Sequence, residues 1–164
     1  IGTAIAVLVS NARGFLAPDG SSKGDVLSAE AMCRRVAFDG YAVMLCFAAL
    51  SSLIFIFFSK QLMGAFTTDT AVLSVAYTLV FPLVLYQLGD ATQVTFANAL
   101  RGTSHVMPML WIAFVSYVVF GLTSTWILAF PCGLGVYGIV LSFSVSLFMA
   151  AALFLNSFLR VTRN

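Results

Sequence analysis

Phe81 to Gly102 reads FPLVLYQLGDATQVTFANALRG, and Asp90 is the only acidic residue deep inside any of the long apolar stretches of this chain. A carboxylate at bilayer depth costs at least about 3 kcal/mol, so a membrane helix rarely carries one unless it meets a partner, a cavity or a translocated ion. The surrounding composition makes lipid the relevant solvent. Hydrophobic residues account for 61% of the chain and charged residues for 9%, with a mean hydropathy of +1.03, far from an ordinary soluble domain. These values identify an integral membrane protein.

Crossing about 30 Å of hydrocarbon takes roughly 20 helical residues, and that length divides the sequence. Ile1 to Ser10 reads as the tail of one helix, followed by spans at Gly40 to Ser59, Ala71 to about Leu100, Leu110 to Phe130 and Val136 to Leu159. Each is too long and too apolar for a strand. The expected fold is therefore all-α, a polytopic transmembrane helix bundle forming one domain over residues 1–164. Between the first two helices, Asn11 to Asp39 is expected to lie outside the hydrocarbon. It comprises the turn-rich APDGSSKGD and then SAEAMCRRVAF, read as a short interfacial amphipathic helix. The chain opens at Ile1 inside an apolar run, with neither an initiator Met nor a signal-peptide n-region, and is expected to be a fragment.

Arg13, Lys23, Arg34, Arg35, Arg101, Arg160 and Arg163 fall on one side of these spans, and Lys60 falls on the other. By the positive-inside rule the first side, including the C-terminus, is cytoplasmic. A net charge of +2 is too small to indicate nucleic acid. Cys33, Cys46 and Cys132 form no C-x-x-C pair or other metal spacing, so they read as structural thiols. Gly133, Gly135 and Gly138, at the start of the last span, read as small residues that let helices approach closely.

With Asp90 at zero and about 100° per residue, Tyr86 lies near about −40°, Gln93 near about −60°, Gln87 near about +60° and Asn98 near about +80°. These five polar side chains share one face, which is expected to line a cavity or the bundle interior. Pro82, two turns before Asp90, lacks the N–H that would bond the Thr78 carbonyl, so a bend or hinge is expected there. Two readings of Asp90 stand: a site for an ion, or a carboxylate satisfied by a Ser, Thr or Asn on a neighbouring helix. His105 reads as a solvated loop histidine, and Ser142, Ser144 and Ser146 as hydroxyls that bond back to their own helix or pack against a neighbour. No nucleophile with a base, paired carboxylates, metal cluster, P-loop or dinucleotide fingerprint is present, so neither an enzyme nor an ATP-driven pump is expected.

Four segments carry a family resemblance. LMGAFTTDTAVLSVA from Leu62 to Ala76, ALRGTSHVMPML from Ala99 to Leu110, VSYVVFGLTSTWIL from Val115 to Leu128 and GLGVYGIVLS from Gly133 to Ser142 occur in order and at the right spacing. Together they resemble the C-terminal half of a multidrug and toxic compound extrusion (MATE) transporter. The resemblance implies the C-terminal lobe of a twelve-helix transporter, namely the end of helix eight and helices nine to twelve, with an N-terminal lobe and helix seven lying outside this chain. It also implies a cation-coupled antiporter of the inner membrane that exports lipophilic, often cationic, organic compounds. The NorM-like branch carries an acid in its tenth helix with a tyrosine four residues earlier, matching Asp90 and Tyr86, and these are implied to bind the coupling ion, Na⁺ or H⁺. No other cofactor is expected, and the implied partners are organic cations, the lipid bilayer and the N-terminal lobe. A lipid-precursor flippase of the wider superfamily and a non-transporting structural subunit are the competing readings. The segment Asn11 to Asp39 departs from the family in being longer and richer in Gly and Ser.

Overall fold

The computed structural model describes residues 1–16, 23–104 and 107–163. The polar turn expected within 17–22 and the loop histidine His105 lie outside the described residues. The described residues form seven α-helices and one π-helical segment, with no strand: α1 Gly2–Leu16, α2 Lys23–Gly64, α3 Thr70–Thr78, α4 Val80–Gly102, α5 Met107–Ala113, the π segment Phe114–Gly121, α6 Leu122–Ala129 and α7 Gly135–Val161. Among them, α2 from Val26, the α5–π–α6 rod and α7 are each long and apolar enough to span a membrane, and α3 with α4 makes a fourth, bent span. The protein is a multi-pass helical membrane protein.

Three boundaries differ from the sequence reading. The separate interfacial helix expected at SAEAMCRRVAF is the first part of α2, which runs unbroken into the second span. Nothing between Ser28 and Phe38 breaks a helix, and the single Gly40 costs only about 1 kcal/mol. Gly40 also has a packing purpose, since a Cβ there would stand 2.6 Å from Ile5 Cγ1 of α1. The 39 residues from Val26 extend roughly 58 Å at about 1.5 Å per residue, about twice the hydrocarbon thickness. The charged residues Glu30, Arg34, Arg35 and Asp39 all fall in the part of this helix that can project beyond the lipid. Likewise α1 continues through Arg13 to Leu16 rather than ending near Ser10.

The span expected as a single helix from Ala71 to Leu100 is two helices meeting at 43°. The break falls at Leu79, three residues ahead of Pro82. Its position follows from the proline itself: the ring cannot donate to Thr78 and crowds the carbonyl four residues back, so the disruption lies upstream of the ring. Leu79 N–H closes a tight turn onto Ala76 O at 3.1 Å, and α geometry resumes with Leu83 N–H on Leu79 O at 3.1 Å. Pro82 then occupies the first turn of α4, where a helix has N–H groups to spare.

The glycines before α7 divide into two kinds. Gly133 and Gly135 have φ of +66° and +52°, and a Cβ on either would meet nothing within 4 Å. They turn the chain rather than let helices approach, which corrects the packing role expected for them. Gly138 is the packing glycine, because a Cβ there would lie 2.6 Å from the Leu128 carbonyl oxygen.

Helix α4 is the hub, packed against α1 and α2 on one side and α7 on the other. Phe96 is fully buried at its centre, with ring centroids of Tyr41 at 5.3 Å, Phe38 at 5.7 Å and Phe158 at 6.0 Å. Ile5, Val9, Cys33, Ala37, Leu100 and Phe154 complete this core. At one end of the bundle, guanidinium groups cap two helix C-termini, where the last carbonyls lack intrahelical donors and carry partial negative charge. Arg13 Nη1 donates to Thr103 O at 2.7 Å, and Arg34 donates from Nη2 to Thr162 O at 2.6 Å and from Nε to Thr162 Oγ1 at 2.9 Å. Large apolar side chains such as Phe57, Trp111, Trp126 and Phe130 point outward, as lipid requires.

Gly138→Val would force α6 and α7 apart at Leu128. An overpacked contact of this kind costs on the order of 1–3 kcal/mol, and the denaturant midpoint of the purified protein in mild detergent should fall accordingly. Gly133→Asn, which meets open space and carries a side chain that tolerates positive φ, should lower it much less.

Candidate functional site

A cavity of about 260 Å³ opens beside Asp90, between α4, the π segment, α6 and α7. Helix α4 contributes Tyr86, Asp90 and Gln93, which follow one another at helical spacing along its face. The π segment contributes Tyr117, α6 contributes Thr125, and α7 contributes Phe143 and Ser146. The close approaches that frame the space occur at glycines. A Cβ on Gly89 would lie 3.1 Å from Leu147 Cβ, and one on Gly121 would lie 3.2 Å from Ser146 Oγ. Opposite the acid, the hydroxyls are already engaged: Thr125 Oγ1 and Ser142 Oγ are 2.6 Å apart, and Ser146 Oγ donates to the Ser142 carbonyl oxygen at 2.8 Å. Ser144 Oγ donates to Pro82 O at 2.8 Å, tying the first turn of α4 to α7 one turn before Tyr86.

Asp90 also borders a second cavity, of about 300 Å³, on the α2 side, together with Met44, Ser51 and Gln87. There Gln87 Nε2 donates to Ser51 Oγ at 2.7 Å and Ser52 Oγ donates to Gln87 Oε1 at 3.1 Å. The polar face read from the helical wheel therefore splits along a ridge. Tyr86 and Gln93 turn toward α7, Gln87 turns toward α2, and half-buried Asp90 stands between them. Asn98 joins neither group. Its Nδ2 donates to Val94 O at 2.8 Å, and it packs against Gly2 of α1. Among the described residues, no hydrogen-bond donor or cationic group contacts the Asp90 carboxylate, and no cluster of three His, Cys, Asp or Glu could hold a metal ion.

Sequence reasoning missed Tyr117, Thr125 and Ser146. A signal for the first was present, since Ser116 and Tyr117 carry the only hydroxyls between Leu110 and Gly121. The π register that turns Tyr117 into the cavity could not be read from that pattern.

The sequence profile of the MatE family matches residues 29–127, which run from α2 through the π segment and most of α6 and include every α4 residue of the cavity. The chain belongs to the MatE family. Its MatE relatives include a probable multidrug resistance protein NorM of Mannheimia succiniciproducens, 31% identical over 157 residues that make up 93% of this chain and 31% of that protein. A probable NorM of Pasteurella multocida is 31% identical over 124 residues, covering 73% of this chain and 27% of its own length. The multidrug resistance protein NorM of Aliivibrio fischeri is 30% identical over 129 residues, covering 76% and 28%. The chain thus spans about three-tenths of the length of these MatE relatives.

The cavity predicts a reactivity pattern. With the exposed Cys46 and Cys132 replaced by Ser, a cysteine introduced by Asp90→Cys should react with a small cationic methanethiosulfonate roughly tenfold faster than one introduced by Thr95→Cys, because reaction needs an accessible thiolate. Thr95 is fully buried one and a half turns away. Mass spectrometry of the labelled protein measures both rates.

Proposed function

We propose that this chain is the C-terminal lobe of an inner-membrane antiporter that exports lipophilic organic cations in exchange for an inward-moving ion, Na⁺ or H⁺, with its C-terminus in the cytoplasm. The observation that carries this reading is Asp90: a carboxylate within a membrane-spanning helix, open to a cavity and contacted by no donor among the described residues. A charge so placed is stabilised only when a cation arrives. In this reading Asp90 and Tyr86 bind the coupling ion, while Gln93 and, from the α2 side, Gln87 contribute polar lining. Asn98 is left out, since the structure packs it against α1.

Exchange follows from the single charge. An organic cation and the coupling ion both need the same carboxylate, so occupancy by one weakens the hold on the other. Phe143, Leu122 and Leu147 give the cavity apolar walls that suit the hydrophobic body of such a substrate, and the tyrosine rings can face its positive charge. The break at Leu79, made by Pro82, provides a place where the outer half-helix α3 can change its angle to α4 once the charge is neutralised. Relatives called multidrug resistance proteins support the substrate class, and the basic end of the bundle supports the cytoplasmic side. The N-terminal lobe and the bilayer complete the assembly; no enzyme activity, nucleic acid or further cofactor enters.

The competing readings each need something different at the same place. A lipid-precursor flippase calls for basic residues to hold a phosphate, whereas among the described residues no Lys or Arg lines either Asp90 cavity. A structural subunit calls for Asp90 to be hydrogen-bonded to a neighbouring helix.

In the full-length protein, Asp90→Asn should abolish ion-driven ethidium efflux from proteoliposomes while leaving membrane insertion and detergent stability intact. Undiminished coupled efflux would sink this function. Tyr86→Phe should weaken the ion response roughly tenfold or less, consistent with one lost interaction of about 1.4 kcal/mol.

A further inference from the structure

Resting on that reading, a second observation concerns the π segment. Phe114–Gly121 is eight residues long, and π geometry is rare beyond single turns; where it occurs it often marks a functional site. Here it carries a local cost. Ser116 is fully buried and its Oγ has no hydrogen-bond partner among the described residues, an arrangement unfavourable by itself. The neighbouring residue is what the register delivers. Tyr117 lines the cavity across from α4, sharing it with Asp90, Tyr86 and Gln93.

We propose that Tyr117 is a further cation-binding residue, its hydroxyl oxygen ligating Na⁺ as the coupling ion from the π segment while Asp90, Tyr86 and the Gln93 amide oxygen ligate it from α4. Small hard cations are held by several oxygen atoms, of which only enough need be charged to balance the ion. One carboxylate with neutral hydroxyl and amide oxygens matches a single positive charge. Tyr117 is the member of this set that does not come from α4, so an ion held by all four draws the π segment and α4 together. The unfavourable burial of Ser116 is then a consequence of the register that aims Tyr117.

The test removes only the hydroxyl. Full-length Tyr117→Phe is reconstituted and ethidium efflux is titrated with NaCl at fixed pH and with pH at fixed NaCl; wild-type efflux that responds to pH and not to NaCl overturns the proposal. The concentration giving half-maximal efflux should rise about tenfold, as expected for one lost ligand to a charged group. The rate at saturating ion and the binding of ethidium without a gradient should stay within about twofold, which a merely structural role for Tyr117 would not predict. An unchanged ion dependence overturns the proposal, and so does an equal loss of ethidium binding. Asp90→Asn measured alongside separates the two levels: if that variant still couples ion to efflux, the antiporter reading itself fails whatever Tyr117→Phe does.

Discussion

In a bilayer the surrounding tails are as apolar as the helices, so helix α4 stays in place only because its neighbours fit it closely. The fit is made at small residues. Gly89 admits Leu147 of α7, and Gly102 lies so near α1 that a Cβ would stand 2.6 Å from Ala6 O. Between these two contacts Phe96 fills the interior against Tyr41 and Phe158. Everything said of Asp90 depends on this clasp, because a carboxylate on a loosely held helix could rotate to find a partner or reach the interface. Here the helix face that carries it is set by packing on both flanks.

The spans were legible because their signal is bulk hydropathy summed over about 20 residues, and a sum of that kind survives small local errors. Asp90 and Tyr86 were legible for the opposite reason: a single charge in lipid is so costly that its position alone is informative. Boundaries set by backbone detail were not. A Pro82 bend was expected, but its placement at Leu79 depends on where the ring crowds the upstream turn. The choice of glycine at position 40 within α2 answers the close contact with Ile5, a tertiary fact with no local signature. Asn98 shows the limit of the helical wheel. It shares a face with Asp90 by angle, yet two turns along the helix that face meets α1 instead of a cavity. The site residues on other elements, above all Tyr117, could be placed only once the π register was known.

Stability is also distributed unevenly along the bent span. At the basic end, Arg13 on Thr103 O and Arg34 on Thr162 O and Thr162 Oγ1 join α1 to the end of α4 and α2 to the end of α7. Further up, Ser144 pins the first turn of α4 through Pro82 O. Beyond that bond the constraints thin: α3 touches α2 and α4 but has no buried residue, and its N-terminus is held by its own Asp69 cap, whose Oδ1 accepts from Ala71 N–H at 2.8 Å. Few buried contacts mean a low free energy for local rearrangement. The joint at Leu79 therefore divides a rigid, clamped segment carrying Asp90 from a lightly held outer segment. Asp90 lies on the rigid side about three turns from that joint, so the element freest to answer a change of charge there is α3, while the ends of α4 and α7 are held by their arginine caps.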